Sequence, residues 1–320
     1  MACRPVAKAA HWIKKKTGRA PTPRETVSSL RPSWGTMSGP FVFVAPPSVD
    51  AAIAELATGA PGEVAVLAGG TDLAFVLDGG RAAPRRVLSL RHLPWRTLDW
   101  NGPVLTVGST LPLRSLEQDP EVARRHPGLV QAVKAVGGVP LRHRATLGGN
   151  LGRAAPASDL IPVLLALDAE VDLVGPNGAR TLSVDRFLIS SWHTALARGE
   201  LIRSVRFPEP RPSAYLWQRV RPSNDISQIA VAVARSPSDG GWRLSVGGIP
   251  PRAVRLREPE STLRSASPSA PAVHEAAEAA ARSLPIAADR RASEEYRRHL
   301  VATLLERAVG TVAASPDGGR

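Results

Sequence analysis

Cysteine is almost missing from this chain, with Cys3 the only one among 320 residues. One thiol forms no internal disulfide and cannot supply an all-cysteine iron–sulfur cluster, and it excludes zinc sites built on paired cysteines. The seven histidines are scattered, without a His-Glu-x-x-His arrangement. No run of 18 or more apolar residues is present, so no membrane span is expected. The N-terminus lacks the apolar core and small-residue cleavage site of a secretory signal, which makes a cytoplasmic address the default expectation. Lysine is scarce as well: beyond residue 36 only Lys134 remains, and arginine carries the rest of the positive charge.

What is present is uneven. The formal charge is +13, yet residues 1–36 hold eight Lys or Arg against the single acid Glu25. That stretch has no sustained apolar period and is expected to be a disordered basic tail, with a domain starting at Met37. A basic arm that binds a polyanion is the alternative for this stretch; the body gives no reason to expect a nucleic-acid or membrane partner. With 43% hydrophobic residues, the remainder has enough apolar content for two or three domains.

Along the body, Phe41–Val44 is predicted as a strand and 49–56 as a helix with Ser48 as N-cap. Val64–Leu67, the turn Ala68-Gly69-Gly70-Thr71-Asp72, a helical stretch and Val87–Leu90 make a small βαβ unit. Strands are predicted at 104–107 and 201–207, helices at 113–118, 129–136 and 160–167, and a hairpin at 171–184. Residues 137–152 are too glycine-rich for a regular element and are predicted as a loop. The proline-rich break at 209–213 is the expected domain boundary. Beyond it, 214–220, 228–234 and 242–248 suggest an antiparallel sheet, 258–271 an exposed linker, and 272–284 and 293–309 two helices.

Two Gly-Gly turns carry the chemistry. Consecutive glycines let peptide N–H groups approach a ligand closely, and a phosphate there gains several hydrogen bonds with no side chain in the way. The first, Gly69-Gly70, follows a strand and leads into a helix, whose positive end favours a pyrophosphate. The second, Gly148-Gly149, is flanked by Thr146 and Asn150, whose polar side chains can bond ribityl or phosphate oxygens. Neither fits the nicotinamide or nucleoside-triphosphate glycine patterns. A lone Gly-Gly is more often than not only a tight turn, and an acid placed like Asp159 is usually just a helix cap. His143 suits either tuning a bound cofactor or a solvated loop, and Trp192, Trp217 and Trp242 suit either stacking near a cofactor or core packing. Composition and pattern alone therefore stop at a cofactor-binding α/β protein.

The wording of the two turns goes further. Ala68-Gly69-Gly70-Thr71-Asp72-Leu73, Arg144-Ala145-Thr146-Leu147-Gly148-Gly149-Asn150-Leu151 and Pro156-Ala157-Ser158-Asp159-Leu160 resemble the FAD signatures of the molybdenum hydroxylase flavoproteins. This is the family of the carbon monoxide dehydrogenase medium subunit and the middle domain of xanthine dehydrogenase. Leu165–Val171, Thr194-Ala195-Leu196, Asp225-Ile226 and Tyr296-Arg297-Arg298 agree in the same order, from about residue 38 to 310. The chain departs from the family's usual wording at Pro140-Leu141-Arg142-His143, and Trp217 or Gln218 stands where some members place a lysine.

The resemblance implies an α+β chain: a two-part FAD-binding fold, with a small βαβ subdomain (37–93) and a mixed or antiparallel sheet subdomain (94–210). A C-terminal domain (211–320) of three antiparallel strands with helices follows. It implies FAD wrapped at its pyrophosphate by Val66, Leu67, Ala68, Gly69, Gly70, Thr71, Asp72 and Leu73. Thr146, Gly148, Gly149 and Asn150 line the other side, Asp159 bonds the cofactor, and Leu196 packs near the flavin ring. It further implies an electron-transfer subunit of a hetero-oligomer, often a doubled heterotrimer, with an iron–sulfur small subunit and a molybdopterin large subunit as partners. A stand-alone flavin oxidoreductase on the same fold is the alternative.

Overall fold

The computed structural model describes residues 40–221, 225–263 and 268–315; the basic stretch 1–36 lies outside them. Three short strands open the described chain: β1 (Val42–Val44), β2 (Val64–Leu67) and β3 (Arg86–Ser89). They pair in parallel in the order β1-β3-β2. Helix α1 (Val49–Thr58) crosses from β1 to β2, and the Ser48 hydroxyl accepts from the Ala51 amide at 3.2 Å, the cap expected from sequence. Helix α2 (Leu73–Asp78) links β2 to β3. The core beneath this unit is small, built on Ala52, Leu90, Leu93, Trp95 and Leu201, and it leaves Phe41 and Phe43 largely exposed.

A five-stranded antiparallel sheet follows, with strands β4 (Leu98–Asn101), β5 (Val104–Gly108), β6 (Glu170–Gly175), β7 (Gly178–Ser183) and β10 (Leu201–Phe207) in the order β4-β5-β10-β6-β7. Period-2 alternation puts Leu105, Val107, Val171, Leu173, Val205 and Phe207 into the main core. Helices α3 (Leu113–Gln118), α4 (Pro120–Arg125), α5 (Pro127–Ala135), α6 (Val139–Arg142), α7 (Leu147–Arg153) and α8 (Leu160–Ala166) fill the segment between β5 and β6. The short helix α9 (Val184–Phe187) and the ribbon of β8 (Leu188–Ser190) and β9 (His193–Thr194) follow β7.

Strands β11 (Ser213–Gln218), β12 (Ile229–Arg235) and β13 (Trp242–Gly247) form the C-terminal antiparallel sheet, and a short fourth strand, β14 (Val254–Arg255), extends the three expected. Helices α10 (Arg257–Thr262), α11 (Ala270–Ser283) and α12 (Glu294–Ala313) complete the chain. The sheet is buried on both faces, and the sequence of β12 divides the labour. Ile229, Val231 and Val233 face α12 and the core it shares with α11, while Ala230, Ala232 and Ala234 enter the main core that includes α8. Each fully buried Val or Ile contributes about 1.5–3 kcal/mol, so the branched face carries more of the stabilisation. The alanine face permits closeness instead: a Cβ on Gly247 would lie 2.5 Å from Pro162 Cγ, and the Ser245 hydroxyl donates to the Pro162 carbonyl at 2.6 Å.

Two sequence expectations fail on particular residues. The stretch 137–152 is not a single loop; it contains α6 and all but the last residue of α7. The Thr146 side chain accepts from the Gly149 amide at 3.0 Å and starts α7 despite its glycines, because a good cap and a packed helix face outweigh their low helix propensity. The linker expected at 258–271 contains most of α10 and the start of α11; residues 264–267 of it lie outside the described residues.

Candidate functional site

The first glycine turn is a bend between β2 and α2. Gly70 sits at φ +82°, a conformation side chains other than glycine rarely adopt. The amides of Gly69, Gly70 and Thr71 make no hydrogen bond among the described residues, so three peptide donors stand free in one bend. Ala74 donates back to the Gly70 carbonyl at 3.0 Å, which shapes the bend into the first turn of α2.

The second turn lies against it. A Cβ on Gly69 would sit 1.9 Å from the Arg144 carbonyl oxygen, and one on Gly149 would sit 3.7 Å from Ala68 Cβ. Only glycine allows the first contact, because the neighbour is backbone and cannot yield. Gly148 likewise packs on Ser109, where a Cβ would approach the side chain to 2.5 Å. At this second turn the glycine amides are engaged internally: Gly148 donates to the Ser109 carbonyl at 3.2 Å and Gly149 to the Thr146 hydroxyl. The Asn150 side-chain oxygen accepts from Ser158 at 2.6 Å, leaving its amide nitrogen unbonded among the described residues.

A cavity of about 430 Å³ opens beside the first bend, lined by Leu67, Gly69, Gly70, Thr71 and Leu73 from the predicted set. Ala74, Leu77 and Val87 also line it, and aromatic and cationic walls come from Phe41, Phe43 and Arg144. Sequence reasoning assigned no role to these three. Arg144 stands inside the quoted motif, exposed and with no carboxylate partner among the described residues. A cradle of free amides, glycine-only contacts, an unpaired guanidinium and aromatic walls suits a dinucleotide with its diphosphate at the bend. The donor set and the glycine cradle thus fit FAD.

Asp159 and Leu196 lie elsewhere. The Asp159 carboxylate accepts from the Tyr215 hydroxyl at 2.8 Å, from Ser227 at 2.7 Å and from Arg219 at 2.8 Å, which ties α8 to the C-terminal sheet. It makes no cap bond to its own helix; the Ser158 hydroxyl does that, accepting from the Leu160 and Ile161 amides. Burial, with the Asp159 carboxylate beside it, pushes the Tyr215 phenol well above its ordinary range, so it remains a donor. Leu196 is half-buried, packs against the main core, and does not line the cavity beside the first bend.

Trp242 is fully buried in the C-terminal core. Trp217 stacks on Tyr215 with ring centroids 5.5 Å apart, and Trp192 is half exposed above Arg153.

Comparison with known proteins converges on one family. Residues 38–210 match the FAD binding domain in molybdopterin dehydrogenase, and residues 214–312 match the CO dehydrogenase flavoprotein C-terminal domain. The nicotine 6-hydroxylase medium subunit of Paenarthrobacter nicotinovorans is 30% identical over 272 residues, covering 83% of this chain and 95% of that protein. A putative xanthine dehydrogenase FAD-binding subunit of Escherichia coli K12 is 27% identical, covering 79% and 90%. Among solved structures, a carbon monoxide dehydrogenase from Hydrogenophaga pseudoflava superposes with a TM-score of 0.80 at 26% identity, over 87% of this chain and 98% of that one.

Proposed function

Since the chain belongs to the family of FAD binding domains in molybdopterin dehydrogenases, we propose that it is the electron-transfer subunit of a molybdenum-dependent hydroxylase. The family's members are subunits of FAD-dependent oxidoreductases, and FAD is the cofactor. When bound, FAD supplies the redox chemistry that carries electrons to a terminal acceptor. The chain's own residues hold and orient it. The stretch Val66–Leu73 wraps the pyrophosphate, with the Gly69, Gly70 and Thr71 amides as donors and Arg144 as the neighbouring cation. Thr146, Gly148, Gly149 and Asn150 form the opposing wall, in which the glycines serve approach rather than donation. Asp159 bonds the cofactor, and Leu196 packs near the flavin ring.

With one cysteine in the chain, the iron–sulfur clusters belong to a small-subunit partner and the molybdopterin to a large one, in a cytoplasmic hetero-oligomer with no nucleic-acid or membrane partner. Domains at 37–210 and 211–320, the first divided near residue 93, suit that arrangement.

The observation that carries this reading is the apposition of Gly69 to the Arg144 carbonyl beside three unbonded amides. Titration of the flavin-free chain with FAD tests it: saturable binding is expected, and Gly69→Val should abolish it by driving a side chain into the Arg144 backbone. A chain that takes up no FAD at any concentration sinks the reading. Co-expression with the small and large subunits tests the assembly, and a wild-type chain that purifies alone in their presence counts against it.

A further inference from the structure

The acid that ends the first bend is misplaced for an anion site. Asp72 directly follows the free amides of Gly69–Thr71, and a bare carboxylate there repels a diphosphate. An Asp at a helix N-cap ordinarily folds back onto the first-turn amides, but Asp72 has φ −98° and ψ −43° and makes no cap bond. Its carboxylate instead meets Arg153 Nε at 2.5 Å.

Arg153 is itself held by a second contact. The guanidinium carbon lies 4.1 Å from the centroid of the Trp192 ring. Trp192 keeps a left-handed backbone at φ +66°, and its amide donates at 2.9 Å to the carbonyl of Ala154, another left-handed residue at φ +48°. Neither residue is glycine, so both conformations are held against their own preference, a pattern found where the surroundings fix a side chain's position. Arg153 also ends α7, the helix of the second motif. One guanidinium therefore links the two cofactor motifs and neutralises the only acid in the first bend.

We infer that Arg153 is a positioning residue for the dinucleotide: held by Trp192, it draws the Asp72 carboxylate off the phosphate cradle and cancels its charge. The inference rests on the FAD reading above and deepens it. It separates electrostatic positioning from a mere structural tie, because the two roles predict different behaviour for the acid. If Arg153 acts by masking Asp72, then Asp72→Asn removes the need for it.

FAD dissociation constants of four flavin-free full-length proteins test this: wild type, R153Q, D72N and the D72N/R153Q double variant, each at low and high salt. R153Q should weaken FAD binding by about tenfold at low salt and less at high salt, as expected of a single uncompensated charge near a diphosphate. D72N should bind FAD more tightly than wild type, because Arg153 is then left uncompensated beside the diphosphate, and the double variant should recover to within about threefold of wild type. Weakening by D72N equal to that of R153Q overturns the inference in favour of a structural tie. An R153Q protein that binds like wild type, or a double variant as weak as R153Q, also overturns it, the latter because Arg153 then contacts the phosphate directly. A wild type that binds no FAD at all is the distinct result that sinks the functional reading itself.

Discussion

At the scale of single residues, His126 shows how burial alone sets a pH response. Its ring is fully buried between Trp100, stacked at 5.9 Å, and Phe207 at 5.4 Å, and neither ring nitrogen has a hydrogen-bond partner among the described residues. Burial, reinforced by the positive charges of Arg125 and Arg211, lowers its pKa to about 4 from an ordinary 6.5. The unfolded chain therefore binds a proton between those values that the folded chain refuses. Above pH 6.5 the residue adds no pH dependence; as pH falls from 6.5 toward 4 it removes stability, by about 3 kcal/mol in all. Urea unfolding at pH 7 and pH 4.5 should show most of this loss, and His126→Phe should remove that part of it while leaving stability at pH 7 within about 1.5 kcal/mol. A pH response unchanged in the variant would show that His126 is not its source. Nothing in the sequence marks this histidine out, because the residues that bury it lie 26 and 81 positions away in the chain.

At the scale of elements, what could be read from sequence was what depends on neighbours in the chain. The Ser48 cap, the β2 run leading into its glycine bend and the β6–β7 hairpin are all local patterns, and each forms where expected. The two motifs were likewise recognisable as wording. Their contact was not, since it depends on the Gly69 approach to a carbonyl 75 residues further along. Local rules also misjudged α7, where glycines argued for a loop and the Thr146 cap decided otherwise. The alanine face of β12 provides a test at this scale. Ala232 is fully buried in the core shared with α8, so Ala232→Leu should destabilise by about 1–3 kcal/mol through overpacking, measurable as a lower urea midpoint. Val231→Ala, on the opposite face, should cost a similar amount by leaving a cavity against α12. If Ala232→Leu is neutral, the small residues of β12 are not there to admit α8.

For the whole molecule, the two halves are joined by charge as well as by core. Asp168, at φ +48° just after α8, receives Arg211 at 2.7 Å and Arg243 at 2.9 Å and also pairs with Arg255. Two of those arginines belong to the C-terminal sheet, and Arg255 is held in turn by Glu260, Arg211 by Glu209. Although burial works against the charged form, the surrounding guanidinium groups win and hold the Asp168 carboxyl below its ordinary range. Its contribution is therefore present above the unfolded value of about 3.9 and is lost as pH falls through the lower folded one. Such a hub is invisible in sequence because its partners stand 43 to 87 positions apart. It is the counterpart of Asp159, which joins α8 to β11 and the segments after it, so the helix next to the second cofactor motif is clamped at both ends. Asn also tolerates the left-handed backbone, so Asp168→Asn removes the charge without adding strain, and what remains is three arginines facing a neutral amide. With Arg211 buried and Asp168 partly open to water, a loss of about 2 kcal/mol is expected, below the range for a fully buried pair. Urea unfolding monitored by tryptophan emission should show that loss at pH 7, with FAD affinity preserved, because the hub touches neither glycine bend. An FAD affinity that falls along with stability would mean that the joint between the halves also sets the cofactor cradle.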